Sequence, residues 1–420
     1  MRQGIILALA VLATAILMCG EEALAKEKDK KTVTVANLNI FHGIACAAAR
    51  DETQCRLSER IDLLFKHLAA IGCPDVVTLQ EVLDRASVVI LTPGGPVTIP
   101  TPDPEDPHKA LTSALELIQV KLDKANVCGY ANLIYAPDLV PPEQRPLFER
   151  IDGELILSRY PIEQAQVRLL HSALYVSGGP QFFTRHVLFA RIVHPVGPLD
   201  VFTTHLASSE DFGDNKCHSN ESFSFPNAQG TLSNITFDVP CPSECDLSQT
   251  IRECEARQVA NFVKTHLQDN GDDTLTVLTG DFNAESRSAV YKEIINADHR
   301  RKHRWIDSHL AADNPECNRL TGIGCTAGRD AVGGDLEKPI RNVDERIDYI
   351  FVVPSAHELE CKIQEKGTGL FADKPNLSRR KHQQCGPFPD PICWASDHNG
   401  NRVNLRCERS ADHDFSLVSW

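Results

Sequence analysis

One stretch near residue 280 constrains the fold more than any other part of the chain. Residues 274–278 alternate β-branched and aliphatic side chains, which predicts a buried strand, and Gly280 lets the backbone turn directly afterwards. Asp281 and Asn283 therefore lie at a strand end, and because residues two apart point to the same side, their side chains face together beyond the sheet. A carboxylate and an amide placed in this way can hold a water, a metal or a negatively charged oxygen. Asp-x-Asn is also common in turns, so this interpretation needs support from the rest of the chain.

Strand and helix patterns alternate from residue 32 to residue 405. The predicted strands are 32–40, 75–81, 131–135, 154–158, 185–193, 199–205, 274–278, 346–353 and 402–405, and the predicted helices are 57–71, 111–122, 251–267 and 286–297. We expect Arg252, Arg257 and Lys264 on the solvent side of the third helix. The alternation, without an internal repeat or low-complexity tract, favours one α/β domain with insertions over two domains.

Three segments show neither the two-residue period of a strand nor the 3.6-residue period of a helix, and they are predicted to be loops inserted into this domain. They lie near residues 92–108, 208–245 and 307–343, and we expect disulfides to tie the second of them. The domain itself is predicted to cover residues 32–407, followed by a C-terminal tail over residues 408–420.

The N-terminal residues have the pattern of a secretory signal peptide. Arg2 precedes an apolar run over residues 5–12, and Ala23-Leu24-Ala25 matches a small-x-small cleavage site. We therefore expect a signal peptide over residues 1–25 and a secreted or periplasmic protein. A lipoprotein anchored at Cys19 is the alternative, although Met18 is bulky for such a site. No other stretch is long and apolar enough to predict a membrane span.

The cysteines favour the same oxidising environment. One of the 15 cysteines lies within the predicted signal peptide, which leaves 14, an even number suited to disulfides. Cys46 with Cys55, and Cys317 with Cys325, are close enough in sequence to close short loops, but spacing does not determine pairing.

Two kinds of binding are disfavoured. Cys241 and Cys245 have the spacing of zinc ligands, but no second pair followed by histidines accompanies them. The net charge of -14 argues against tight, sequence-independent binding of a nucleic-acid backbone, because such binding depends on Lys and Arg. It does not exclude a hydrolase that needs only transient contact with a phosphate.

Further polar residues gather at the predicted strand ends. The complete set is Asn39, Glu81, His205, Asp281, Asn283, Asp348, Asp397 and His398. α/β sheets collect their chemistry at such edges, oxygen ligands suit magnesium, calcium or manganese rather than zinc, and histidines supply acid–base capacity near neutral pH. Each residue also has a structural explanation, such as a core histidine at 205 or a turn cap at 397. Eight such positions together favour a site.

The motifs that contain these residues resemble those of the endonuclease/exonuclease/phosphatase superfamily, which includes secreted DNases, abasic-site nucleases, bacterial sphingomyelinases and inositol polyphosphate phosphatases. In chain order they are Asn39, Leu79-Gln80-Glu81, Thr204-His205-Leu206, Gly280-Asp281-Phe282-Asn283, Arg346-Ile347-Asp348-Tyr349 and Ser396-Asp397-His398. The resemblance extends from about residue 32 to residue 405. It implies a four-layer α/β sandwich, two face-to-face mixed β-sheets flanked by helices, and metal-dependent hydrolysis of a phosphate ester.

The resemblance also implies which residues would meet the metal and the phosphate. Glu81 and Asn39 would hold a divalent cation, Mg²⁺ or else Mn²⁺ or Ca²⁺, and Asp397 would lie close to it. Arg185 is a further candidate for contact with the substrate phosphate.

Five further residues would carry the catalysis. His398 would be the acid–base histidine, and Asp348 would receive its other ring proton and so fix its tautomer. Asp281 would position the attacking water, while Asn283 and His205 would donate hydrogen bonds to the phosphate oxygens.

The substrate class stays open at this point. Residues 204–208 look more like the sphingomyelinase branch, a phospholipid phosphodiesterase that would touch a membrane surface transiently, and residues 88–99 offer modest apolar content for that contact. A secreted, DNase-like endonuclease is the main alternative, although the DNase-type carboxylate that supports the first histidine has no clear match. A phosphomonoesterase comes third, and a non-catalytic binding module on the same scaffold is the alternative of a different class. We expect a monomer without a stable protein partner.

Overall fold

The computed structural model describes sixteen parts of the chain. They are residues 32–42, 55–92, 95–100, 113–138, 148–171, 185–208, 214, 220–226, 232–238, 242–270, 274–297, 305–331, 333–353, 359–378, 381–386 and 392–409. The predicted signal peptide, Cys46, Cys241 and the end of the predicted tail lie outside these parts. Within them, no helix combines the length and the apolar character that crossing a membrane requires.

The chain alternates short strands with a few helices. The strands are β1 (Thr32–Asn39), β2 (Val76–Gln80), β3 (Arg85–Thr92), β4 (Gly95–Pro100), β5 (Asn132–Pro137), β6 (Phe148–Ile151), β7 (Gly153–Ser158), β8 (Ile162–Leu169), β9 (His186–His194), β10 (Gly197–His205), β11 (Asn220–Pro226), β12 (Leu232–Asp238), β13 (Leu275–Asp281), β14 (Ile306–Asp307), β15 (Asp348–Val353), β16 (Leu359–Ile363), β17 (Gly369–Phe371), β18 (Leu377–Ser378), β19 (Lys381–Cys385) and β20 (Gly400–Arg409). The helices are α1 (Leu57–Ala70), α2 (Ala114–Ala125), α3 (Ile251–Asn270), α4 (Ala289–Ile295) and α5 (Ser308–Ala311).

Two mixed sheets form the framework. The first has the order β16-β20-β1-β2-β7-β5, with β17 also paired to β20, and the second has the order β14-β15-β13-β10-β9-β8. Each contains one parallel pair, β1 with β2 and β10 with β13, among antiparallel neighbours. The parallel pairs lie inside the sheets, so their strand ends are flanked by neighbours on both sides.

The sheets lie face to face and the helices cover their outer faces. Val76 on β2 packs into the apolar layer between the sheets with Val277 on β13. The next residue on β2, Val77, points the other way and packs with α1 and α2, while α3 and α4 cover the second sheet in the same manner. Both faces of the central strands are therefore buried, which explains their nearly continuous apolar runs. The predicted four-layer sandwich is confirmed.

Several boundaries differ from the prediction. α2 begins after Ser113, whose side chain accepts a hydrogen bond from Glu116 N at 3.1 Å, and α4 begins after Ser288, which caps it through Tyr291 N. β15 begins at Asp348 rather than at residue 346, and β20 continues to Arg409, past the predicted domain end at residue 407. Each of the two helices starts directly after the serine whose side chain caps it. The predicted starts followed the apolar periodicity instead, which does not show where the capping residue lies.

Two of the predicted loop insertions contain strands, so the prediction of aperiodic loops was wrong there. β4 begins within residues 92–108 and pairs with β3, which also pairs with β6 in a separate three-stranded sheet. β11 and β12 form a hairpin within residues 208–245. Prolines at the strand ends obscure β4 in the sequence, yet edge strands tolerate them. The described residues of the third insertion, 307–331 and 333–343, are mostly irregular apart from Asp307 at the end of β14, α5 and one 3₁₀ turn.

Five disulfides join pairs of described cysteines. They are Cys73–Cys128, Cys245–Cys254, Cys317–Cys325, Cys361–Cys407 and Cys385–Cys393. The expected Cys317–Cys325 disulfide is present. Because Cys245 is bonded to Cys254, its thiolate is not available as a ligand for the zinc site considered above. Several disulfides in one domain are typical of an oxidising compartment.

Candidate active site

The predicted site residues meet where strand ends of the two sheets approach each other. The first sheet supplies Asn39 at the end of β1, Glu81 directly after β2, and His398 just before β20. The second sheet aligns three more side chains on neighbouring strands, because His205 pairs with Asp281 in register and Asp281 pairs with Asp348. Segments far apart in sequence thus bring their polar side chains together at one edge of the two sheets, which we call the rim.

Asn39 joins the two halves of this site. Its Nδ2 donates to Glu81 Oε1 and to Asp281 Oδ2, both at 3.0 Å, although Asp281 belongs to the other sheet. Its Oδ1 accepts from Phe41 N at 3.0 Å. The amide therefore acts here as a donor that holds two carboxylates at a fixed distance from each other.

His398 is held by a carboxylate on one ring nitrogen and faces the site with the other. Its Nδ1 lies 2.8 Å from Asp348 Oδ2, and its Nε2 lies 3.8 Å from Asp281 Oδ2. Burial disfavours the charged ring, but Asp348 and Asp397 outweigh burial and raise the pKa of His398 well above its usual value. The Ser396 hydroxyl fixes the segment, since it accepts from His398 N and donates to the Asn39 carbonyl.

Asp281 is enclosed and its carboxylate oxygens have different partners. Oδ1 accepts from Asn283 N at 2.8 Å, while Oδ2 faces Asn39 and His398. Burial, followed by repulsion from Asp348, raises the pKa of the Asp281 carboxyl to about 7. Gly280 is required before it, because its φ is +148° and an added Cβ would lie 2.0 Å from the Thr204 carbonyl oxygen.

His205 contacts donors on both ring nitrogens. Arg185 Nη1 lies 3.0 Å from Nδ1, and Asn283 Nδ2 lies 3.0 Å from Nε2 and donates to the Leu206 carbonyl at 2.8 Å. Arg185 is only 2% exposed. The structure therefore places Arg185 against the histidine, and its direct contact with phosphate stays a prediction.

The donor atoms around Glu81 suit a divalent cation. Glu81, His42 and Asp152 each offer one ligand atom within 4.8 Å of the others, and Glu81 also interacts electrostatically with Asp397. Burial raises the pKa of the Asp397 carboxyl, whose Oδ1 accepts from the Ser396 hydroxyl. Carboxylates fit a hard cation. Asn39 fits as a ligand only if its amide turns over, because its nitrogen faces Glu81.

Sequence reasoning missed two of these residues. His42 lies three residues after Asn39, and Asp152 directly precedes the buried strand β7, so both satisfied the criterion of a polar residue next to a strand end. His42 Nε2 lies 3.5 Å from Glu81 Oε2. Two further groups of ligand atoms within 4.8 Å are Asp138 with Glu154 and His186, and Asp281 with Asp348 and His398.

Buried arginines behind the rim are a second feature that the sequence did not reveal. Arg252 was expected on the solvent side of α3, but it is buried and donates to the carbonyls of Ala207 and Asn283. These carbonyls lie in different site segments and satisfy the guanidinium, which is why burial is tolerated. Arg60 on α1 joins Ile40 and Ala395 through their carbonyls in the same way.

The two-sheet fold and the carboxylates and histidines at its rim indicate the class of protein to which the chain belongs. The family model described as the endonuclease/exonuclease/phosphatase family matches residues 36–398, so the chain belongs to that family.

Solved structures with a similar fold include an endonuclease/exonuclease/phosphatase from Beutenbergia cavernae, at 18% identity over 90% of this chain and 72% of that chain, with a TM-score of 0.46. D. rerio TDP2 complexed with single-strand DNA product is 14% identical over 90% of this chain and 99% of that chain, with a TM-score of 0.46. Mannosyl-6-phosphatase from Bacteroides thetaiotaomicron is 14% identical with the same coverage and a TM-score of 0.48. No curated protein matches the sequence significantly.

Proposed function

We propose that the chain is a secreted, divalent-metal-dependent phosphoric ester hydrolase, and more specifically a phosphodiesterase. One observation supports this most strongly. The Asp348–His398 pair, Asp281 and Glu81 come from two different sheets, yet Asn39 and short contacts bring them into one site.

The cation would be held by Glu81 and Asp397, with the amide of Asn39 once its oxygen is turned inward. Mg²⁺ is the first candidate, and Mn²⁺ or Ca²⁺ the next, because the proposed ligands are oxygen atoms. When bound, such an ion neutralises charge on the phosphate and so eases the approach of a nucleophile.

Asp281 and His398 would handle the water. Asp348 holds His398 Nδ1 at 2.8 Å, which directs Nε2 into the site. The 3.8 Å between Nε2 and Asp281 Oδ2 is too long for a direct hydrogen bond, so both atoms could contact the same water. Asp281 would orient that water while His398 exchanges protons with the reacting groups, a contribution of about 10²–10⁴-fold.

Asn283 and His205 would stabilise the phosphate as its charge grows. Asn283 Nδ2 and His205 Nε2 lie side by side at 3.0 Å, and His205 Nε2 is 3.6 Å from Asp281 Oδ2. Donors fixed in a buried site are the largest single contribution in many hydrolases, because they need no reorganisation during the reaction.

Hydrolysis of bis(p-nitrophenyl) phosphate by the purified, disulfide-intact protein tests the proposal. We expect Mg²⁺-dependent cleavage that EDTA abolishes and that Glu81→Ala removes. Glu360→Ala is the matched control, since Glu360 is exposed on β16 and pairs only with Lys362 among the contacts described.

Parallel assays with DNA, RNA and sphingomyelin assign the substrate class. Cleavage of sphingomyelin but not DNA supports the phospholipid branch, and the reverse supports a nuclease. Failure to cleave the reporter or any of the three substrates with added metal would contradict the enzyme proposal in favour of a binding module.

A further inference from the structure

We propose that His42 and Asp152 are further ligands of the divalent cation at Glu81, so that the site combines one nitrogen with its oxygen ligands and binds Mn²⁺ more tightly than Mg²⁺. The inference rests on the proposed function, because it names two ligands of the same cation and the class of metal that they favour. It does not require the amide of Asn39 to turn over.

The first sheet brings Asp152 next to Glu81. β2 and β7 are antiparallel neighbours, so the end of β2 lies beside the start of β7. Val82 N donates to the Gly153 carbonyl at 3.0 Å, which joins the residue after Glu81 to the residue after Asp152. The side chain of Asp152 directly precedes β7 and is only 1% exposed, so its carboxylate is buried close to that of Glu81.

A sharp turn after β1 brings His42 to the same place. Phe41 has a φ of +56°, the left-handed conformation that a residue with a bulky side chain rarely adopts. Arg60 on α1 stabilises this turn, because its Nη1 donates to the carbonyls of Ile40 and Phe41 at 2.6 and 3.0 Å. The chain then returns toward Glu81, and His42 N donates to Glu81 Oε2 at 3.1 Å.

The side chains of His42, Glu81 and Asp152 have the spacing of metal ligands. One atom from each lies within 4.8 Å of the other two, and His42 Nε2 is 3.5 Å from Glu81 Oε2. A distance of 3.5 Å is long for a hydrogen bond. Two ligands of one ion with bonds of about 2.1 Å are about 3.0–3.4 Å apart, depending on the coordination geometry. The contact therefore fits two ligands of a common ion better than a direct hydrogen bond.

The carboxylates around Glu81 provide the charge that a cation needs. Glu81 and Asp397 repel each other, and both attract the buried guanidinium of Arg60. Asn39 Nδ2 and His42 N already donate to the two oxygens of Glu81, but each carboxylate oxygen has two lone pairs, so these hydrogen bonds are compatible with metal binding. Carboxylates that bind metals are commonly held by such outer hydrogen bonds.

A histidine ligand changes which metals bind well. Sites made only of oxygen atoms suit Mg²⁺, Ca²⁺ and Mn²⁺, whereas an imidazole nitrogen is typical of first-row transition ions. Mg²⁺ also demands near-ideal octahedral geometry and gives up its waters reluctantly. One imidazole beside two carboxylates is thus compatible with Mn²⁺ and unfavourable for Mg²⁺.

Pulsed EPR of Mn²⁺ bound to the purified, disulfide-intact chain tests ligation by His42. We expect spin-echo modulation from a coordinated nitrogen, which changes to the ¹⁵N pattern when the histidines are labelled with ¹⁵N. His42→Gln should abolish this modulation. His67→Gln is the matched control, because His67 lies in the last turn of α1, about 10 Å further along the helix axis than Arg60, and it should keep the wild-type spectrum.

Isothermal titration calorimetry measures the contribution of each ligand to affinity. His42→Gln and Asp152→Asn should each weaken Mn²⁺ binding by at least about 10-fold, since even the loss of an outer partner of a metal ligand costs about 10–100-fold. His42→Gln should also lower the ratio of Mn²⁺ affinity to Mg²⁺ affinity. Asp123→Asn, at an exposed position on α2, should leave both affinities unchanged.

The outcomes separate this inference from the proposed function. Mn²⁺ that binds to the wild type without nitrogen modulation, or with an affinity that Asp152→Asn does not change, overturns the inference alone. If neither Mn²⁺ nor Mg²⁺ binds to the wild type, the proposed metal dependence is wrong as well. If the variants do not fold, anomalous diffraction from wild-type crystals soaked in Mn²⁺ decides, because an ion that contacts both His42 and Asp152 supports the inference and an ion bound without them overturns it.

Discussion

The contact between His398 and Asp348 shows how one residue depends on another at this site. Asp348 Oδ2 accepts from Nδ1 at 2.8 Å and is buried in the second sheet, whereas His398 belongs to the segment before β20 in the first. Without the carboxylate, the ring loses both its orientation and the charge that favours its protonated form.

We therefore predict that Asp348→Asn lowers kcat by about 10²–10⁴-fold, as loss of properly oriented acid–base catalysis does. Asp313→Asn, the same change at an exposed position, should leave kcat unchanged. Steady-state kinetics with the phosphodiester reporter measure both. Wild-type kcat in Asp348→Asn would show that His398 needs no carboxylate partner.

His186 makes stability depend on pH. Burial opposes its charge, but Glu154 and Asp138 outweigh burial and raise the pKa of His186 to about 10, above the ~6.5 of an unfolded histidine. The folded state thus keeps a proton that the unfolded state releases, so the contribution of His186 to stability is fully present below the unfolded pKa and is lost as pH rises through the folded pKa.

We predict that the free energy of unfolding falls from pH ~7 to pH ~9, by up to ~1.4 kcal/mol per pH unit for one proton. Urea unfolding at both pH values measures this slope. Replacing Glu154 and His186 together by Gln should flatten it. Equal slopes in both proteins would mean that His186 does not hold the proton.

The sequence predicted the polar residues of the candidate site better than the residues that hold them in place. Asp281 and His398 were predictable because a polar side chain beside a buried strand is costly unless it has a partner. Arg252 was not, since its partners include the carbonyls of Ala207 and Asn283, and every residue has a carbonyl; Asp214 is a further partner, 3.1 Å from its Nη1. Arg252 is buried because the loops after β10 and β13 pass next to it. A local sequence pattern does not predict where these loops lie.

At the scale of elements, helices fix the loops of the site through these buried arginines. α3 holds the segments after β10 and β13 by means of Arg252, and it holds α4 by a more exposed pair between Arg257 and Glu293. The two arginines lie on the same helix, yet the first bonds two carbonyls of site segments in addition to the Asp214 carboxylate, whereas the second pairs with the Glu293 carboxylate.

We predict that Arg252→Met lowers the free energy of unfolding by about 2–4 kcal/mol, because two charge-assisted hydrogen bonds to carbonyls are lost together with the ion pair to the exposed Asp214. Arg257→Met should cost only about 0.2–1 kcal/mol, as an exposed ion pair does. Chemical denaturation of both variants measures the difference. Equal losses would contradict a special role of Arg252 in holding the loops.

Element prediction succeeded where apolar periodicity was strong and failed in the insertions. α1 was placed well, because Leu57, Ile61, Leu64 and Leu68 repeat at helical spacing, whereas β13 was predicted to end at residue 278 and continues through Gly280 to Asp281. β4 and the paired strands β11 and β12 belong to small sheets that are separate from the two main sheets, and strand preference depends strongly on such context.

At the scale of the whole molecule, the disulfides differ in the length of the loop that each one closes. Cys361–Cys407 joins paired strands β16 and β20 and spans 46 residues, whereas Cys317–Cys325 spans 8 residues in the irregular insertion. Closing a longer loop removes more entropy from the unfolded chain.

We predict that replacing Cys361 and Cys407 by Ser costs about 4 kcal/mol, and that replacing Cys317 and Cys325 costs about 2.5 kcal/mol. Thermal and urea unfolding of the two double variants would show this order. The reverse order would mean that local support of the insertion outweighs loop entropy.

The alternation of elements predicted a single α/β domain, and the family resemblance implied the four-layer architecture. The convergence of the site could not be derived from spacing alone, since Asn39 and Asp281 are 242 residues apart and meet only when both sheets have formed.

The pairing of β1 with β20 makes the first sheet depend on a segment far downstream in the chain. During translation β1 acquires this antiparallel neighbour only after residues 400–409 have been made, and His398 emerges just ahead of them. A nascent polypeptide, or one interrupted upstream of Gly400, thus has neither a closed sheet nor a finished rim. The proposed hydrolytic activity therefore requires that translation has passed His398 and the strand that follows it.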